Sequence, residues 1–172
     1  MSDPTSLLSQ IDDAALIRLA QEMVRIPSPN GQERALAEWL AARLAPMGLV
    51  VTLRDVHQGR LNVLAELPGR ERGPIGLLFH GHTDTVPVLG MPDPYGATLV
   101  DGAIWGRGAV DQKGGLAAAV AAIGALAQSG LSLRKGVALA AVIDEESEHR
   151  GSHALVEEGL RAEAAIVTEP SD

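Results

Sequence analysis

The chain has 172 residues, with 14 Lys and Arg against 22 Asp and Glu and a formal net charge of −8. That length suits one α/β domain with a real core, and 46% hydrophobic with 21% charged residues is a globular composition, not a disordered one. The acidic balance argues against nucleic acid and anionic membrane as partners, and the absence of cysteine excludes disulfides, thiolate nucleophiles and thiolate metal ligands together.

Any metal must therefore be held by His, Asp and Glu. Aromatic residues make up only 2%, so the core is expected from Ala, Leu, Val and Ile. The opening Met1-Ser2-Asp3-Pro4 lacks the basic and apolar regions of a signal peptide. The longest apolar stretch, residues 116–127, is too short and too Ala-rich to span a bilayer. The expectation is a cytoplasmic protein without a membrane partner.

Residues 12–24 read as a helix ended by Pro27 and Pro29. Residues 33–44 read as a second, with Leu36, Trp39, Leu40 and Leu44 on one face and Pro46 and Gly48 stopping it. Residues 50–56 and 61–67 are predicted strands around the polar turn His57-Gln58-Gly59-Arg60. The short apolar run 75–79 predicts a strand buried on both faces. Residues 97–104 alternate around Asp101-Gly102 and predict a hairpin. Residues 115–127 form a helix apolar nearly all round, expected to lie buried against a sheet. A buried strand (137–143), a short helix (152–158) and a last strand (164–168) complete the chain. The fold class is α/β: a layered parallel or mixed sheet flanked by helices, in one domain spanning 1–172 without internal repeats.

On that map His82 and Asp84 follow the 75–79 strand. Asp111 lies between the turn Gly106-Arg107-Gly108 and the buried helix. Glu145 and Glu146 follow the 137–143 strand, and Glu169 the 164–168 strand. Ligands of open α/β sheets gather beyond the carboxyl ends of the strands. One imidazole with several carboxylates suits a divalent ion such as zinc, cobalt or manganese. A carboxylate can also bridge two ions roughly 3.5–4 Å apart. In extended backbone, Glu145 and Glu146 would point to opposite sides, leaving one for metal and one for proton transfer. Asp84 can accept the second N–H of His82 and fix its tautomer.

Four stretches in order then resemble the M20 family of metal-dependent peptidases and deacylases, which includes acetylornithine deacetylase, succinyl-diaminopimelate desuccinylase and a carboxypeptidase. They are Gly81-His82-Thr83-Asp84-Thr85-Val86-Pro87, Gly106-Arg107-Gly108-Ala109-Val110-Asp111-Gln112-Lys113-Gly114-Gly115, Asp144-Glu145-Glu146 and Thr168-Glu169-Pro170. Weaker echoes are Ile26-Pro27-Ser28-Pro29 and Asn62.

The resemblance implies the zinc-peptidase type of catalytic domain and two divalent ions, zinc first, with cobalt or manganese compatible. His82 and Glu169 would hold one ion and Glu146 the other, with Asp111 bridging both. Glu145 would be the general base and Asp84 would orient His82. The implied reaction is hydrolysis of the amide bond of an N-acyl amino acid or short peptide, a dipeptide being the alternative substrate. A cis peptide at Asp111–Gln112 is also implied.

Family members are longer, supply a further His ligand, and insert a smaller lid domain through which they often form homodimers. None of that lies in these 172 residues. The expectation is the N-terminal part of a catalytic domain, truncated; a catalytically incompetent metal-binding fragment, or a natural half working with another polypeptide, is the alternative. The family's glycine-rich turn before Gly151 is replaced by Ser147-Glu148-His149-Arg150.

The remaining candidates are read as structural. His80 is expected to be a framework residue, and His57, His149 and His153 surface or capping residues. Arg107 and Lys113 flank Asp111; contact with substrate is the alternative, and the expectation is that they orient their loop or pair with nearby carboxylates. Trp39 and Trp105 are expected to pack. Gly106 to Gly115 fits neither the dinucleotide nor the phosphate-loop spacing, so nucleotide binding is rejected.

Overall fold

The computed structural model describes residues 5–171; Met1-Ser2-Asp3-Pro4, read above for a leader, lies outside the described residues. In chain order the elements are α1 (Thr5–Leu8), α2 (Asp13–Arg25), α3 (Arg34–Leu44), β1 (Val50–His57), β2 (Arg60–Leu67), β3 (Leu77–His82), β4 (Thr98–Val100), β5 (Ala103–Trp105), α4 (Gly115–Gln128), β6 (Val137–Val142), α5 (Arg150–Glu157) and β7 (Ala165–Val167). The short α1 has no counterpart in the sequence reading.

Local chemistry sets the boundaries. Asp12 caps α2, its carboxylate accepting from Ala14 N at 2.9 Å. After α3, Gly48 takes a left-handed φ of 82° that turns the chain toward β1. The β1–β2 turn is built on Gln58 (φ 49°) and Gly59 (φ 83°), the left-handed pair a tight hairpin needs. Its amide at Gly59 donates to Asp55 Oδ1 at 3.0 Å.

The five-stranded sheet has the order β1-β2-β6-β3-β7. β1–β2 and β2–β6 are antiparallel, whereas β6, β3 and β7 run parallel. The alternation of β6 divides the core. Val137, Leu139 and Ala141 join Val63, Phe79 and residues of α2, α3 and α4 on one face. Ala138, Ala140 and Val142 join Leu78 and Leu155 of α5 on the other. Both faces are covered, which explains the continuous apolar run of this central strand. β4 and β5 form a separate hairpin. β7 is an edge strand with Ile166 and Val167 about half exposed.

Two expectations change. The 75–79 strand begins later and runs on, because pairing with β6 continues through Gly81↔Ala141 and His82↔Val142. His82 is thus the last residue of a strand, not part of a loop beyond it. Trp105 is 62% exposed, since its hairpin stands outside the main sheet, whereas Trp39 packs against the core as expected.

Candidate metal centre

The parallel strands β3, β6 and β7 end on the same side, so residues far apart in sequence meet there. His82 is buried at the end of β3. Its Nδ1–H donates to the Asp84 carbonyl at 2.9 Å, with the Asp84 carboxylate 3.4 Å away. That leaves Nε2 facing Asp111 Oδ1 at 2.9 Å, Glu169 Oε1 at 3.6 Å and Glu145 Oε2 at 3.8 Å. Ligand atoms of His82, Asp111 and Glu169 lie within 4.8 Å of one another, as do those of His82, Glu145 and Glu146. All six residues singled out from the sequence are therefore at one place.

Asp84 does more than face the imidazole. Its carboxylate accepts from Glu145 N at 3.0 Å, Glu146 N at 3.1 Å and Asn30 Nδ2 at 2.8 Å. The Glu pair consequently sits in a turn and not in extended backbone, Asp144 having a φ of 67°. Tethering of both amides to Asp84, not strand pleating, sets where each Glu points.

A buried network missed by the sequence reading supports that turn. Asp144 accepts from Asn30 at 3.0 Å, Arg60 at 2.8 Å and Arg150 at 2.8 Å. Arg60 also forks onto the buried Glu33 carboxylate. Each residue alone looks like a surface charge; only the fold brings them together. Arg150 and a left-handed His149 (φ 55°) close the loop where the family pattern has glycines. Asn62 completes the junction, accepting from Ile143 N at 3.0 Å and donating to Gly151 O at 2.8 Å. A Cβ on Gly151 would lie 2.6 Å from Ile143 N and O. Gly151→Ala is thus expected to lower unfolding free energy by about 1–3 kcal/mol in a urea titration, as overpacking does.

The glycine-rich turn positions Asp111. Gly108 is left-handed (φ 81°), and its Cβ would meet Thr85 Cγ2 at 2.7 Å. Asp111 leaves helical geometry (φ −113°, ψ 101°), and the Asp111–Gln112 bond is cis, in agreement with the resemblance. Gln112 Oε1 accepts from His82 N and from Thr168 Oγ1, each at 2.9 Å, tying β3 to the segment after β7. Lys113 is fully buried, and its Nζ donates to Ile26 O at 2.8 Å. Burial lowers its pKa to about 8. Neither Lys113 nor Arg107 pairs with a carboxylate among the described residues, contrary to one of the expectations, because Lys113 points inward to a carbonyl.

Charge in the centre is unbalanced. Burial opposes a charged His82, but Asp84, Asp111 and Glu169 overcome it and raise the pKa to about 9. Burial and the neighbouring carboxylates push Glu146 and Glu169 upward despite His82. No Lys or Arg pairs with Asp111, Glu145, Glu146 or Glu169 among the described residues. One imidazole facing four carboxylates is a donor set that a divalent cation neutralises, so these residues fit such an ion.

The other histidines lie outside both ligand groups. His80 hydrogen-bonds Ser152 Oγ at 3.1 Å, and burial, then the charge of His82, lower its pKa. His57 is half-buried and His153 exposed. Exposed His149 lies 3.6 Å from Glu145 Oε1, four positions before it, a pairing that the sequence reading did not assign.

The sequence profile of Peptidase family M20/M25/M40 matches residues 78–172, more than half of the chain. The chain belongs to this family. This M20 chain is 34% identical over 165 residues to succinyl-diaminopimelate desuccinylase 2 of Shewanella loihica, covering 90% of the chain and 42% of that protein. It is 30% identical over 165 residues to the N-formyl-4-amino-5-aminomethyl-2-methylpyrimidine deformylase of Bacillus subtilis, covering 91% of the chain and 39% of that enzyme. It therefore spans about two fifths of the length of these relatives. The crystal structure of human carnosine dipeptidase 1 has the same fold over 96% of the M20 chain and 41% of its own, with a TM-score of 0.81 at 24% identity. No helix among the described residues is long and apolar enough to cross a membrane.

Proposed function

We propose that these residues carry the ion-binding and proton-transferring part of an amide hydrolase acting on an N-acyl amino acid or short peptide. The observation that carries this reading is the convergence of His82, Asp111 and Glu169 within 4.8 Å, with Glu145 beside them, in a chain of a peptidase family. Relatives named for removing succinyl and formyl groups support an acyl-amine bond as the target.

His82, Asp111 and Glu169 would hold one ion, and Asp111 and Glu146 the other. Zinc suits the donor set first, cobalt and manganese next. Two such ions polarise an amide carbonyl and acidify water when bound. Glu145 takes a proton from the attacking water and delivers it to the leaving amine. Asp84 holds the amides of Glu145 and Glu146 and keeps the His82 tautomer that presents Nε2.

Ion content by mass spectrometry and hydrolysis of a panel of N-acyl amino acids test the reading together. Two ions per chain with turnover support it. An ion-free chain without turnover overturns it. Ions without turnover would favour a second reading, a non-catalytic metal-binding unit, for which one fact speaks: the only histidine in both ligand groups is His82.

A pH titration offers an independent check. The His82 proton must leave before an ion takes Nε2. Because the folded pKa is about 9, affinity is expected to rise about tenfold per pH unit from pH 7 to 9 and then flatten. In the ion-free chain that same proton stabilises the fold. Its contribution is full below the unfolded value of 6.5 and is lost as pH rises through about 9. Chemical unfolding across this range, with His82→Ala as control, reads that loss.

A further inference from the structure

Arg107 is the charged group of this centre that the proposed chemistry leaves unused. It lines the same cavity of about 210 Å³ as Asp111 and Glu146. Its backbone is pinned: Arg107 N donates to Pro94 O at 2.7 Å and Lys113 N to Gly108 O at 2.8 Å. A Cβ on Gly106 would meet Val24 Cγ1 at 2.4 Å, so the turn cannot drift toward α2. The side chain, in contrast, has nothing to hold. Its Nε is sealed from solvent without an acceptor, and among the described residues the guanidinium makes no hydrogen bond or ion pair.

A loop-orienting arginine would spend its donors on carbonyls, as Lys113 does on Ile26 O. An arginine paired with the centre's carboxylates would lie against Asp111 or Glu146, and neither contact exists. A rigidly based, unpartnered guanidinium at the wall of a reaction cavity is a receptor for an anion, and its planar donor fork matches a carboxylate. Once Asp111 and Glu146 are neutralised by cations, the charge of Arg107 is the one left uncompensated in the cavity.

Resting on the metal-centre reading above, we infer that Arg107 is a specificity residue that receives a free carboxylate of the substrate beside the scissile amide. That carboxylate can belong to the acyl group or to the amine part. Either way the preferred substrate is an acid and not a neutral amide.

The test uses the zinc-loaded chain and three amides: N-methylsuccinamate, charged on the acyl side, N-butanoylglycine, charged on the amine side, and the uncharged N-methylbutanamide. Ligand-observed NMR gives the three affinities, and the same spectra report any hydrolysis. The readout is the ratio of charged to uncharged binding. Wild type is expected to favour one charged amide by roughly tenfold or more, as a charge-assisted hydrogen bond does. Arg107→Gln should bring that ratio to about one. Arg107→Lys, which keeps the charge but not the fork, should fall between.

Loss of preference for N-methylsuccinamate alone assigns the acyl carboxylate; loss for N-butanoylglycine alone assigns the amine side. Equal binding of all three by wild type, which needs no variant to fold, overturns the inference. So does a preference that survives in Arg107→Gln. A wild-type chain that holds no zinc overturns the metal-centre reading itself, which separates the two failures.

Discussion

Glu145→Gln is expected to keep the ion content of the chain and to lower amide hydrolysis by about 10²–10⁴-fold, the usual contribution of a positioned general base. Gln keeps the shape and the backbone amide that donates to Asp84 Oδ1 at 3.0 Å, so the turn stays in place. What disappears is the ability to accept and return a proton. Glu146→Gln is expected to behave differently, with loss of one ion. Both side chains share a cluster with His82, so the contrast is informative. Parallel ion analysis and steady-state hydrolysis check it. If Glu145→Gln lost its ion and Glu146→Gln kept both, the two roles would have to be exchanged.

Arg60→Ala is expected to destabilise the fold by about 3–5 kcal/mol, the range for breaking a buried ion pair from one side. The Arg60 side chain is 11% exposed and lies between Glu33 and Asp144, whose side chains are fully buried. Its pKa is raised, with the Glu33 hydrogen bond as the largest cause. Asp144 is held below its usual value: burial opposes ionisation, but Asn30, Arg60 and Arg150 outweigh it. Without Arg60, Glu33 is left without a cation among the described residues, whereas Asp144 keeps Arg150. Glu33→Gln combined with Arg60→Ala should therefore recover part of the loss, a coupling that urea unfolding of the double-mutant cycle measures. Because Asp144 precedes the Glu pair, the single variant should also weaken ion binding; unchanged stability would show that the pair contributes nothing net.

Much of the candidate centre was legible in the sequence because its residues follow apolar runs. A buried strand announces itself by continuous hydrophobicity, and what comes after its carboxyl end faces the ligand side. His82, Glu145, Glu146 and Glu169 were located in this way, and Asp111 by the glycines before it. The supporting residues carried no such signal. Asn30, Glu33, Arg60 and Arg150 lie on three separate segments, and nothing in their spacing says that they form one network with Asp144. Trp105 was misjudged for a similar reason: an aromatic in an alternating hairpin reads as packed, yet its hairpin stands off the main sheet.

By itself the sequence determined the layered α/β class, the strands and the helices other than α1, and the set of His and carboxylate side chains at the strand ends. Those follow from local periodicity and from covalent order, which hold in any fold the chain adopts. Tertiary structure decided which carboxylates share His82, that Asp84 tethers the Glu pair through backbone amides, and that Arg107 is left without a partner among the described residues. These are distances between residues up to 114 positions apart, as for Asn30 and Asp144. Distances of that kind exist only once the burial of β6 between two layers has brought the strand ends together.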